Sequence, residues 1–123
     1  MNFIRLYSDQ SGESHFESLD LEFESVDFAP PAPPLDMAHL GQVESCSLLK
    51  APAGWYGDCH PAPFRQLHFY LAGALEVETS DGKNVRVGAG DIALVEDTGG
   101  KGHRSRVAGT EDVVIAAVRL PAK

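Results

Sequence analysis

At 123 residues, 43% of them hydrophobic, the chain is long enough for one packed core and too short for two. Eighteen acidic against ten basic side chains leave a net charge of −8, which repels phosphate backbones and anionic lipid heads and argues against nucleic acid and acidic membranes as partners. Cys46 and Cys59 have neither zinc-ribbon nor redox spacing, no basic segment precedes an apolar run, and no run reaches the roughly eighteen apolar residues of a spanning helix, so a soluble cytoplasmic protein without a leader is expected.

Helical periodicity is scarce. Residues 2–7 read as a first strand, and residues 15–28 alternate loosely, with Phe16, Leu19, Leu21 and Phe23 among acids. Pro30, Pro31, Pro33 and Pro34 then exclude a helix or a central strand and favour a stiff connector. Residues 1–34 are therefore expected to be an extended, proline-rich arm whose apolar residues cover the outside of the domain or a second subunit. The domain proper is expected at 35–123. Within it, strands are expected at 43–50, 65–71, 74–79, 84–87, 92–95, 103–107 and 112–120. Turns fall at Ala53-Gly54, Ala72-Gly73, Gly88–Asp91 and Gly109, with a Gly-rich loop at 98–102. The clearest hairpin is Ser80-Asp81-Gly82-Lys83, because Asp-Gly accepts the positive φ angles of tight hairpin turns. Short strands at such intervals predict an all-β sandwich or barrel.

Two spacings carry a resemblance. Gly54 is followed by five residues, then His60, with Gln66 six further on and Gly73 seven beyond that. Gly90 is followed by Asp91-Ile92-Ala93-Leu94-Val95 and a loop that ends at His103. Over Gly54–His103 the sequence resembles the two motifs of the cupin superfamily, with the Asp-Gly hairpin between them. The resemblance implies a small single-domain cupin, a jelly-roll barrel or double-stranded β-helix with a small-molecule site inside. It also implies metal ligands at His60, Gln66 and His103. The departures are Ala62 at the second His position, Gln66 at the Glu position, Glu96 at the Pro position and a second-motif loop two residues longer.

Hydrophobicity alone puts Leu67, Phe69 and Leu71 in the core and leaves Gln66, His68 and Tyr70 in water, since alternate residues of a strand share a face. The resemblance implies the reverse, and the inward reading of Gln66, His68 and Tyr70 is the expectation. Two imidazoles and a neutral amide can hold a divalent ion such as Zn, Fe, Mn or Ni, although less firmly than a set with a carboxylate. The competing reading makes His60 and His103 a metal-free hydrogen-bonding pair. Without metal, His103 can serve as a general base oriented by Glu96 or Asp97, with Tyr70 or Tyr56 returning the proton. Substrate contacts are expected from Trp55, Tyr56, Arg65 and His68. Arg65, Lys101, Arg104 and Arg106 raise the prospect of an anionic ligand, set against the plainer reading of Arg104 and Arg106 on a solvent face. The loop 97–103 lacks the Lys-Ser/Thr ending and following helix of a nucleotide loop; its glycines are expected to deliver His103 inward. Cys59 is read as structural.

Three function classes follow. The first is an enzyme, metal-dependent or a metal-free isomerase or lyase, acting on a small polar or carboxylated metabolite. The second is a non-catalytic binding or sensing module. The third is a structural or storage protein, the least favoured. A homodimer is the expected assembly. The fold does not choose among these, because one scaffold hosts many chemistries.

Overall fold

A computed structural model describes residues 1–123 and contains twelve strands and no helix. In chain order they are β1 (Asn2–Ser8), β2 (Ser14–Asp20), β3 (Glu24–Val26), β4 (Leu35–Met37), β5 (Ser45–Ala51), β6 (Tyr56–His60), β7 (Gln66–Ala72), β8 (Ala74–Thr79), β9 (Asn84–Gly88), β10 (Ile92–Val95), β11 (His103–Ala108) and β12 (Val113–Arg119). A six-stranded sheet runs β2-β1-β10-β7-β12-β5, and a four-stranded sheet runs β6-β11-β8-β9. All pairs are antiparallel except β1 with β10.

The core lies between the two sheets and follows the period of two. Leu6, Ala93, Val95, Val113 and Ile115 from one sheet meet Leu75, Val77 and Val87 from the other. Tyr70 is buried in the same cluster, and Gln66 on its face is buried as well. The inward face of β7 is therefore the polar one, and Leu71 at the end of the opposite face is exposed. The Asp-Gly hairpin joins β8 to β9, with the Asp81 carboxylate accepting from the Thr79 hydroxyl at 2.6 Å and the Lys83 amide at 3.1 Å.

Two expectations are corrected. Residues 1–20 are no arm: β1 is hydrogen-bonded between β2 and β10, and Leu6 is a core residue. The reason is ordinary alternation, with Ile4 and Leu6 turned inward while Arg5 pairs outside with Glu17 at 2.9 Å. What projects is a shorter segment, 21–44, in which β3 and β4 pair with each other alone as a two-stranded sheet. The prolines sit in its connection, where no ladder amide is needed. The second correction concerns Tyr56–His60, which sequence patterning did not mark as a strand; it is β6, and it carries His60 to the site.

Candidate active site

His60 and His103 are far apart in sequence and directly opposite each other in the β6–β11 ladder. Their ring centroids lie 5.4 Å apart. A glycine makes the approach possible: Gly102 has a φ of +70°, and a Cβ there would overlap the backbone carbonyl of His60. The loop glycines thus do what the sequence implied, bringing His103 against β6.

The Nδ1 atoms of both rings are engaged. His60 Nδ1 lies 2.8 Å from the Asp58 carbonyl oxygen, which only accepts, so Nδ1 carries the hydrogen and Nε2 the lone pair. His103 Nδ1 lies 2.5 Å from Asp97 Oδ2. Asp97 is fully buried, its other oxygen has no partner, and its backbone carbonyl accepts from Ala62 N at 2.9 Å. A carboxylate held this way fixes the imidazole tautomer and its orientation.

The rings open on a cavity of about 490 Å³ between the sheets, which Gln66, His68, Ser105 and Trp55 also line. Burial, and secondarily the neighbouring His103, push His68 down to about 4, so it is a neutral imidazole. Its Nε2 is buried without a partner. Trp55 lies at the mouth over Gly57, where any Cβ would come within 2.5 Å of the indole. Lys50 and Arg119 also line the cavity, with Arg119 stacked on Phe64 at 4.3 Å.

Several expected site residues lie elsewhere. Glu96 faces the outer side of β10, because Ala93 and Val95 point inward and alternation turns Glu96 away and Asp97 in. Arg65 is held there by Glu96 at 2.6 Å and by the Pro121 carbonyl at 2.6 Å, in an open depression away from the histidines. Tyr70 lies deeper, facing a space of about 40 Å³ that His68 and His103 also line, and burial raises its phenol. Tyr56 is exposed, its hydroxyl 3.4 Å from Asp58. Arg104 and Arg106 lie on the exposed face of β11, and Lys101 pairs with Glu13. The cations that do reach the cavity were readable: Ile115, Ala117 and Arg119 share one face of a strand the sequence marked. Both cysteines are free and exposed, and the Cys59 thiol lies 3.3 Å from the Lys101 carbonyl.

These residues match the metal set that the cupin resemblance implies only in part. Both histidines present Nε2 with Nδ1 backed by an acceptor, the posture of ligating imidazoles. The third donor fails: no group of three or more His, Cys, Asp or Glu side chains is placed to hold an ion, and Gln66 adds only a neutral amide. The donor set does not fit a firmly held divalent ion.

No helix is long and apolar enough to cross a membrane. No family model and no curated protein sequence matches the chain. Among solved structures, the cupin domain of Cnp3 from Schizosaccharomyces pombe is 15% identical and aligns over 99% of this chain and 83% of that one, with a TM-score of 0.50. A protein described as a predicted oxalate decarboxylase from Thermotoga maritima is 19% identical over 84% of this chain and 95% of that one, with a TM-score of 0.49. At such identities likeness speaks to architecture alone, and together with the two packed sheets it shows that this chain has the all-β jelly-roll fold of cupins.

Proposed function

We propose that the chain binds a small carboxylated carbonyl compound in the His60/His103 cavity and catalyses proton transfer beside its carbonyl, with His103 as general base. The observation that carries this reading is the buried Asp97 carboxylate 2.5 Å from His103 Nδ1. With Nδ1 committed to Asp97, Nε2 takes the proton, and Asp97 stabilises the imidazolium that forms. The carbon–hydrogen electron pair becomes the carbon–carbon double bond of an enolate and the carbonyl π pair moves onto oxygen, toward which the Gln66 amide can donate. His103 Nε2 returns the proton at the neighbouring atom.

Both imidazoles come from adjacent strands of one wall. That placement supports transfer along one face, as in isomerisation or syn elimination. Epimerisation by two bases needs one on each face. Lys50 and Arg119 line the cavity, paired with Asp112 at 3.5 Å and Glu44 at 3.1 Å, and an anionic substrate group that displaces either partner would keep a charged contact; the cavity volume suits a small metabolite.

The test is a panel of small oxo- and hydroxy-acids in deuterated buffer, read by proton NMR and thermal shift, with and without a chelator. The expected result is deuterium incorporation next to the carbonyl, unaffected by chelator and lost in His103→Ala. Stabilisation without incorporation would leave a binding module. Loss of incorporation with chelator would return the metal-dependent enzyme.

A further inference from the structure

Resting on the carbonyl ligand read into the cavity above, we propose that the inner space beside His68 and His103 is a subsite for a short alkyl tail, so that the ligand is a 2-oxo acid carrying about two carbons beyond the reacting one.

The walls of that space are apolar. About 40 Å³ in volume, it is lined by eleven residues, eight of them hydrophobic, with no Asp, Glu, Lys or Arg among them. They come from β1 and from β7 to β11, at inward positions such as Leu6, Tyr70, Val77, Val87 and Ala93. Leu6, Val87 and Ala93 are core residues, which closes the space on that side. Only alkyl or aromatic surface gains from entering such walls.

Its position sets the direction of the ligand. His68, Leu75, Val95, His103 and Ser105 line both this space and the larger cavity, so it adjoins the cavity floor at the proposed base. The charged residues of the larger cavity, Lys50 and Arg119, belong to β5 and β12. In the six-stranded sheet these strands lie on the other side of β7 from β10 and β1. A ligand therefore meets charge at one end and hydrocarbon at the other. A carboxylate pushed inward would be buried unpaired, at a cost no contact there offsets. The tail goes in, the carboxylate stays out, and the carbonyl lies at the histidines.

Residue size makes the room. Interiors leave few spaces larger than a water. Here two inward positions are small: Ala93, opposite His68 in the β10–β7 ladder, and Ser105, opposite Val77 in the β11–β8 ladder. Val95 and Val107, next on the same faces, are larger and fill their places. The space left takes about two carbon atoms.

The experiment is isothermal titration calorimetry with straight-chain 2-oxo acids from pyruvate to 2-oxohexanoate, with deuterium incorporation read in parallel. Affinity is expected to rise about fourfold per methylene up to 2-oxopentanoate and to fall at 2-oxohexanoate. The compound 4-hydroxy-2-oxobutanoate, of the same length but ending in a hydroxyl, is expected to bind roughly tenfold more weakly than 2-oxopentanoate. Ala93→Val fills the space and is expected to move the optimum one carbon shorter. Val87→Ala enlarges it and moves the optimum one carbon longer. Pyruvate, which has no tail, serves as the reference that all three proteins bind alike, with folding checked by circular dichroism. Affinity graded by tail length without deuterium incorporation upholds the subsite and ends the chemistry proposed for His103. Affinity indifferent to tail length, equal binding of the hydroxyl tail, or an optimum unmoved by both substitutions overturns the subsite and leaves that chemistry standing. Binding of no member of the series overturns the subsite together with the ligand class.

Discussion

Glu96 and Asp97 adjoin in the chain, yet one carboxylate is clamped on the outer side of the sheet by Arg5 and Arg65, each at 2.6 Å, and the other stands inside behind His103 at 2.5 Å. Both side chains are nearly inaccessible, at 6% and 0% exposure. What separates them is the partner. Two permanently charged guanidinium groups satisfy Glu96 and leave it nothing to exchange. A titratable ring gives Asp97 a proton to hold in place. Burial and charge alone do not identify a working carboxylate; the reactivity of its neighbour does.

The largest effect that tests this contrast is on turnover. Asp97→Asn keeps the volume but offers His103 a donor where it needs an acceptor, which stabilises the wrong tautomer. Deuterium incorporation is expected to fall by a factor on the order of 10³–10⁴, with little change in urea midpoint. Glu96→Gln is expected to do the opposite. Turnover stays within a few-fold, while stability drops by about 3 kcal/mol, toward the low end for breaking a buried ion pair because both arginines keep some contact with water. Equal losses in both assays for both variants would erase the distinction.

Acid sharpens the same contrast. Burial alone would raise Glu96, but hydrogen bonds from Arg5 and Arg65, with Lys123 nearby, bring it down from 4.5 to about 2. A lowered carboxylate contributes stability that is complete above its unfolded value and is lost as pH falls through the folded one. The stability gap between wild type and Glu96→Gln is therefore expected to stay level from pH 7 to 5 and to close between about 4.5 and 2. A gap that closes near neutrality would mean that another group governs it.

These two residues also show how far the sequence reached. The motif spacings were enough for the architecture and for the pairing of His60 with His103, because a jelly roll fixes which strands become neighbours. They also implied the inward face of β7, against its hydrophobicity. Glu96 and Asp97 stand as equal candidates in the sequence because they lie at a strand end, where only the alternation set by Ala93 and Val95 turns the first outward and the second inward. Arg65 reads as a ligand contact because composition shows a charge but not its partner 31 residues away. The arm misled for a related reason. Acids beside apolar residues at 2–20 look like a covering tail until β10 is known to lie parallel to β1, a pairing no local pattern announces.

The smallest effect concerns a second arrangement of carboxylate and imidazole. His15 sits between Asp9 at 2.7 Å and Asp81 at 2.9 Å, joining β2 to the β8–β9 turn with its side chain 30% exposed. Asp9 first, then Asp81, raise its pKa above 6.5, with the Tyr7 ring 5.5 Å away as its uncharged neighbour. A raised histidine contributes stability that is complete below its unfolded value and is lost as pH rises through the folded one. Relative to His15→Gln, the wild type is thus expected to gain a small margin at pH 5–6 that fades in alkali. It should also fade in about 1 M salt, where screening is effective within roughly 3 Å. The Asp97–His103 pair, shielded from ions, is expected to keep its effect on turnover in the same salt. If salt abolishes both, the inner pair is open to solvent, and its difference from the outer one lies in position rather than in environment.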